Sequence, residues 1–341
     1  MNSRERALKM FKHEPVDRIP VFSGYGNITL HGVEKYGWNF SEIHTDAEKM
    51  AKVAASTYEL FGFECAVVPF DMGVEAEVLG SKVNYYSHRT DVVYPTIEKP
   101  AAEKVDDLKI EIPSDLANAG RIPIVREALS KLKERVGKEV VIGSWVLGPY
   151  TQTGQIVDLS NLSRAAYKKQ ALMNEILDKV SSFLIEVIRL YREAGADYIT
   201  IREMGAGPDI LSPAIFQKLI KPHLDRIFSE IDSPNVLHMC GDTNMIIELL
   251  GECGADAVSV ECKNDVAVTR QKLGADALIL GDIDAYSVLV NGTPEQIEQA
   301  VKDAVDKGVN ALWPGCDIWP TVPKENMEAL MRAAREYGKL G

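Results

Sequence analysis

Three residues of this chain have side chains and spacing suited to holding a metal. His238 and Cys240 flank Met239 directly after the apolar stretch of residues 234–237, and residues two apart on a strand face the same way. Cys316 follows Trp313, Pro314 and Gly315 at the end of another apolar run, far downstream. One imidazole and two thiolates suit Zn²⁺, which accepts tetrahedral nitrogen and sulfur ligands without redox consequence. Structural zinc usually takes four ligands in two close pairs, and the sequence contains no Cys-x-x-Cys. Three ligands drawn from distant strands instead leave a position open for substrate. Cys65, Cys253 and Cys262 read as small core residues, the commoner role of a cysteine in an apolar run.

Charged residues at neighbouring strand ends are the next candidates. Glu261 follows the apolar run 257–260 and is the first choice for a fourth ligand or proton acceptor; Glu203, after 198–202, is the second. Asp71 after 66–70 and Asp282 after 277–281 are candidates for binding the reaction's cofactor and for supporting the metal ligands. Arg202 could bind a sulfonate or carboxylate of a small substrate, although an arginine at a strand end serves equally as an ion-pair partner.

Positioning these residues falls to a repeat in the second half of the chain. Gly195-Ala196-Asp197, Gly254-Ala255-Asp256, Gly274-Ala275-Asp276 and Gly308-Val309-Asn310 each follow a polar amphipathic stretch and precede a short apolar run. The glycine suits the left-handed position that ends a helix, and the run suits a strand buried on both faces. Strand-like runs at 65–69 and 140–143, with helix-like periodicity over 124–136 and 171–194, extend the pattern. Alternating strands and helices imply a parallel sheet, and the strand count favours a (β/α)₈ TIM barrel over an open sheet. No Gly-x-Gly-x-x-Gly follows a strand, which weakens the open-sheet alternative further. The expected organisation is one α/β domain, 1–341, with an N-terminal helical extension over 1–60 that includes a helix at 46–60, and a barrel over 61–341. Residues 81–120 read as an irregular or hairpin insertion, and 325–337 as a closing helix.

Composition narrows the function. At 341 residues, 46% hydrophobic and 26% charged, the chain can bury a sizeable core. A formal net charge of −12 would repel phosphate backbones, so nucleic acid is a poor partner. No apolar run approaches the ~20 residues that span a bilayer, and the start is charged, so the expectation is a cytoplasmic protein without membrane association. Five irregularly spaced cysteines argue against a disulfide framework.

Along nearly its whole length the sequence resembles the uroporphyrinogen decarboxylase superfamily, and within it the methylcobamide:coenzyme M methyltransferases. The likeness lies in Pro15 to Pro20, Phe70 to Gly80, Gly195 to Asp197, Leu211 to Pro213, His238 to Gly241, Asn291 to Glu295 and Pro314 to Ile318. Decarboxylases carry an arginine-rich segment where residues 21–28 have none, and a histidine where this chain has Cys316, so porphyrin decarboxylation is disfavoured. The methyltransferase resemblance implies zinc on His238, Cys240 and Cys316. It also implies a thiol such as coenzyme M as methyl acceptor, and a methylcobamide carried by a separate small corrinoid protein, since the chain has no Asp-x-His-x-x-Gly sequence. Ile201-Arg202-Glu203 stands where the coenzyme M enzymes have an Asp-Pro pair, which leaves the small substrate open. The alternatives are a methyltransferase that demethylates a small compound onto Co(I), and a catalytically silent docking subunit. The protein is expected to be a monomer or homodimer.

Overall fold

A computed structural model describes residues 1–339; the last two positions of the expected domain, 340 and 341, lie outside the described residues. The strands in chain order are β1 (Cys65–Val68), β2 (Lys82–Asn84), β3 (Thr96–Lys99), β4 (Val141–Leu147), β5 (Tyr198–Arg202), β6 (Asn235–His238), β7 (Ala257–Ser259), β8 (Leu278–Ile283) and β9 (Ala311–Pro314). Seven of them form one parallel sheet in the order β1-β4-β5-β6-β7-β8-β9, each paired to its sequence neighbour in that series. The gap between the two ends is bridged by residues 20–22. Val21 pairs in parallel with Leu312, whose N–H donates to Pro20 O at 2.9 Å, and Glu64 N–H donates to Val21 O at 3.0 Å. The N-terminal extension therefore contributes a short eighth stave to the barrel as well as its helices. The antiparallel pair β2/β3 is the hairpin expected within 81–120.

Every residue of the seven barrel strands is buried, as a sheet wrapped by helices requires. Helices Ala47–Phe61, Ile122–Val136, Gln170–Glu193 and Lys324–Tyr337 fall within two residues of the bounds expected from periodicity. All four repeat glycines have positive φ, 116° at Gly195 and 85° at Gly254. The acid or amide two residues later has a second purpose. Asp197 accepts from Ile142 N–H at 2.9 Å, Asp256 from Asn235 N–H at 2.7 Å, and Asn310 from Ile279 N–H at 2.9 Å. These side chains tie the start of one strand to its neighbour and satisfy amides that burial would leave orphaned. They fix the end of the barrel at which the strands begin.

One buried acid lies outside this scheme. Glu75 accepts from the Tyr191 hydroxyl at 2.9 Å through one oxygen, while its other oxygen has no partner. Burial raises its pKa from 4.5 to about 7, with Tyr191 and Arg121 opposing and Asp71 adding to the rise. Between those values the folded state holds a proton that the unfolded state has released, so stability falls as pH rises from about 4.5 to about 7. Glu75→Gln should remove that slope. Urea denaturation at pH 5 and pH 8 should show the wild type losing roughly 3 kcal/mol more than the variant; equal losses would mean that Glu75 titrates normally.

Candidate metal centre at the barrel mouth

Strand β6 delivers His238 to the catalytic end of the barrel, in register with Arg202 of β5 and Ser259 of β7. The His238 ring is fully buried, with Nδ1 3.0 Å from Ser259 Oγ and Nε2 3.1 Å from Cys240 Sγ. Cys316 arrives from the turn after β9, where Gly315 N–H donates to Ile283 O at 2.9 Å. A side chain at Gly315 would place its Cβ 3.0 Å from Glu261 Cα, so glycine lets this turn lie against the Glu261 backbone without pushing it aside. The ligand atoms of Cys240, Glu261 and Cys316 all lie within 4.8 Å of one another. Glu261 is oriented by Gly241 N–H, which donates to one of its oxygens at 2.5 Å. The compact group is thus two thiols and a carboxylate, with the His238 imidazole bordering it through Cys240.

The electrostatics suit cation binding. Hydrogen bonding between the two thiols lowers the pKa of Cys316 and raises that of Cys240, while the Arg202 charge favours both thiolates. Burial, followed by the Arg202 charge, pushes the His238 pKa well down, which keeps the imidazole in the neutral form that can donate a lone pair. Two soft thiolates with imidazole and carboxylate donors are the set zinc prefers.

Arg202 lies beside this group rather than in it. Its guanidinium stacks between the rings of Tyr25, at 4.0 Å, and Trp145, at 4.8 Å, and its terminal nitrogens donate to Asp317 at 3.3 and 3.1 Å. Sequence reasoning missed Tyr25 and Asp317. The position of Asp317 directly after Cys316 was an available signal; Tyr25 gave none, because it reaches His238, with ring centroids 4.9 Å apart, only through the closed barrel.

The other acids expected at the mouth have partners elsewhere. Glu203 follows Arg202, and successive strand residues face opposite sides. With Arg202 turned toward the cluster, Glu203 turns away and caps the helix Pro149–Ile156, accepting from Tyr150 N–H at 2.9 Å, Thr151 N–H at 2.8 Å and the Thr151 hydroxyl. Asp71 is held by Arg121 at 2.7 and 2.9 Å and by His44 at 3.1 Å. Asp282 pairs with Lys307 at 3.4 Å. Cys65 and Cys253 are core residues as expected, but Cys262 is exposed. Because β7 ends at Ser259, Cys262 falls in the loop at the mouth, its Sγ 3.5 Å from an Asp284 oxygen.

Known proteins share both this sequence and this architecture. The family described as Uroporphyrinogen decarboxylase (URO-D) matches residues 2–337. A methylcobamide:CoM methyltransferase of Methanosarcina barkeri is 32% identical over 336 residues, covering 98% of each chain. A methylated-thiol–coenzyme M methyltransferase of Methanosarcina mazei is 28% identical over 336 residues, 98% of this chain and 90% of the relative. Among solved structures, a methyltransferase from Methanosarcina mazei aligns with a TM-score of 0.93 at 32% identity over 99% of both chains. A match from the second residue of the chain to within the last helix, and relatives aligned end to end, leave one conclusion: the chain belongs to the uroporphyrinogen decarboxylase family, in the branch of the methylcobamide:CoM methyltransferases.

Proposed function

We propose that this chain is a zinc-dependent methyltransferase that moves a methyl group from a methylated corrinoid, carried on a separate small protein, to a small thiol such as coenzyme M. The observation that carries this reading is the meeting of Cys240, Cys316 and Glu261, with His238 against Cys240, at the mouth of a barrel whose relatives are named for this transfer. His238, Cys240 and Cys316 would hold the ion. Zinc, when bound, lowers the pKa of a substrate thiol while leaving its sulfur electron-rich. Glu261, one oxygen fixed by Gly241, has the other available to take the thiol proton. The substrate sulfur then forms its bond to the methyl carbon as the carbon–cobalt bond breaks. The bonding pair stays on cobalt, which falls from Co(III) to Co(I), and the proton passes to solvent. Arg202 positions the Cys316 turn by holding Asp317. We take the enzyme to be a single domain acting in the cytoplasm as a monomer or homodimer; among the described residues no helix is long and apolar enough to cross a membrane.

Metal analysis of the purified protein joined to a methylcobalamin demethylation assay, with and without a small thiol, tests the proposal. The expected result is about one zinc per chain, as one cluster of this kind can hold, with turnover that requires the thiol. Bound zinc without thiol-dependent turnover would favour the demethylating alternative, and a protein that cannot bind zinc would overturn the metal centre.

A further inference from the structure

A buried polar group normally has a hydrogen-bond partner, and two groups beside the metal centre have none. The Nε–H of Arg202 and the hydroxyl of Tyr25 make no hydrogen bond among the described residues, although Arg202 is 3% exposed and Tyr25 is fully buried. An orphaned donor at such depth costs stability until a ligand completes it. Both orphans lie on the metal side of the barrel interior. The Tyr25 ring meets the Arg202 guanidinium at 4.0 Å and the His238 ring at 4.9 Å, and the charged groups that act on its hydroxyl are Arg202, Cys240, Cys316 and Asp317.

The partner that Arg202 does have is loosely held. Its terminal nitrogens reach Asp317 at 3.3 and 3.1 Å, whereas a charge-assisted pair normally closes to about 2.8 Å. The Asp317 side chain is 42% exposed against 4% for Arg202, so the carboxylate can turn into water and the guanidinium cannot follow. Stacking between Tyr25 and Trp145 keeps the cation in place in either case. A buried, permanently charged guanidinium needs an anion beside it, and Asp317 supplies one that can be exchanged. The place it occupies adjoins the cluster: Asp317 follows Cys316 directly, and consecutive Cα atoms are about 3.8 Å apart. A short thiol with an anionic end can therefore reach both places at once.

We propose that Arg202 and Tyr25 anchor the anionic end of the acceptor thiol, and that Asp317 holds the guanidinium only until that anion displaces it. This rests on the thiol-acceptor reading above and names the residues that select an anionic acceptor over a neutral one. The incoming anion takes the terminal N–H groups that Asp317 gives up, and the Tyr25 hydroxyl and Arg202 Nε–H serve its remaining oxygens. A sulfonate offers these donors one oxygen more than a carboxylate. The transfer itself is unchanged: the thiol loses its proton, the sulfur gains the methyl group, and the electron pair remains on cobalt.

The test compares 2-mercaptoethanesulfonate with 2-mercaptoethanol as acceptors, using the zinc-loaded full chain and methylcobalamin, with kcat/KM expressed per thiolate present. The sulfonate should be favoured by roughly tenfold or more, the factor that one hydrogen bond to a charged group supplies. Tyr25→Phe removes only a hydroxyl that has no partner, so folding survives. It should raise KM for the sulfonate about tenfold, with kcat kept and KM for the neutral thiol unmoved. Arg202→Met should abolish the preference. Asp317→Asn, compared at equal zinc content, removes the competing charge and should lower KM for the sulfonate several-fold, a gain that loss of a purely structural pair would not produce. Ethanesulfonate titrated calorimetrically into the zinc-loaded protein, with no methyl donor present, gives a second readout: saturable binding, weakened in Tyr25→Phe and tightened in Asp317→Asn. Equal efficiency with both thiols, or a sulfonate KM unmoved by Tyr25→Phe, would overturn the anchor; a KM raised or unmoved in Asp317→Asn would overturn the exchange. If neither thiol accepts methyl, the thiol-acceptor reading fails and the ethanesulfonate titration decides alone. Binding altered in the two variants would uphold the anion site, and binding unaltered or absent would remove it.

Discussion

Cys316→Ala should lower bound zinc from about one per chain to a small fraction, with metal affinity falling by at least about 100-fold and thiol-dependent demethylation of methylcobalamin by roughly a thousandfold. The size of the effect follows from how little else can replace the sulfur. Cys316 is a half-buried thiol on a turn after β9, facing Cys240 and Glu261 within 4.8 Å. Without it, the remaining donors are one thiol, one carboxylate already bonded to Gly241, and an imidazole bordering Cys240. Folding should survive, because the turn contributes no strand pairing and β9 ends before it at Pro314. Cys253→Ala is the matched control: this thiol donates to Leu249 O at 3.2 Å on a different element and should keep full zinc. Metal analysis of both variants after identical purification reads the difference. Full zinc retention in Cys316→Ala would remove that residue from the centre.

Much of the scaffold was legible because its signals are local. A glycine that must adopt positive φ, an acid or amide two residues later, and a short apolar run identify a helix end and a strand start at Gly195, Gly254, Gly274 and Gly308. The stave at residues 20–22 carries no such signal. It is too short to show a period, and its pairing with Leu312 spans almost the whole chain. The three sulfur and imidazole groups were visible for a related reason: strand ends of a barrel converge, and the spacing of His238 and Cys240 sets one common face. Which way a carboxylate turns after its strand is a different matter, decided by whichever donor lies within reach. Glu203 meets the open N-terminus of the helix Pro149–Ile156, and Asp282 meets Lys307, while Glu261 meets Gly241 N–H and remains at the cluster. None of those meetings is encoded near the acid itself, so one type of residue at one end of the barrel has three destinations.

Asp71 gives the sharpest test of that distinction, since a role in binding and a role in packing predict different measurements. Asp71 is 3% exposed and receives Arg121 through both terminal nitrogens, His44 Nδ1 at 3.1 Å and its neighbour Gly73 N–H at 2.9 Å. Burial opposes its ionisation, but Arg121 and His44 together hold its pKa far below the usual value. Asp71→Ala would leave the buried Arg121 guanidinium with Glu77, at 3.1 Å, as its remaining carboxylate. An ion pair broken on one side at such a depth costs about 3 to 5 kcal/mol of folding stability. Removing both charges, in Asp71→Ala with Arg121→Met, should recover part of that loss because no uncompensated charge remains. The sign with pH is fixed by the depressed pKa: the Asp71 contribution is complete above about pH 4 and fades as pH falls further, so the wild type loses this advantage over Asp71→Ala only in acid. Urea denaturation gives the stabilities, and kcat and KM per folded molecule give the other half. A structural Asp71 lowers stability and leaves KM for the thiol where it was; a raised KM at unchanged stability would place the carboxylate in the substrate's path and the ion pair in a minor role.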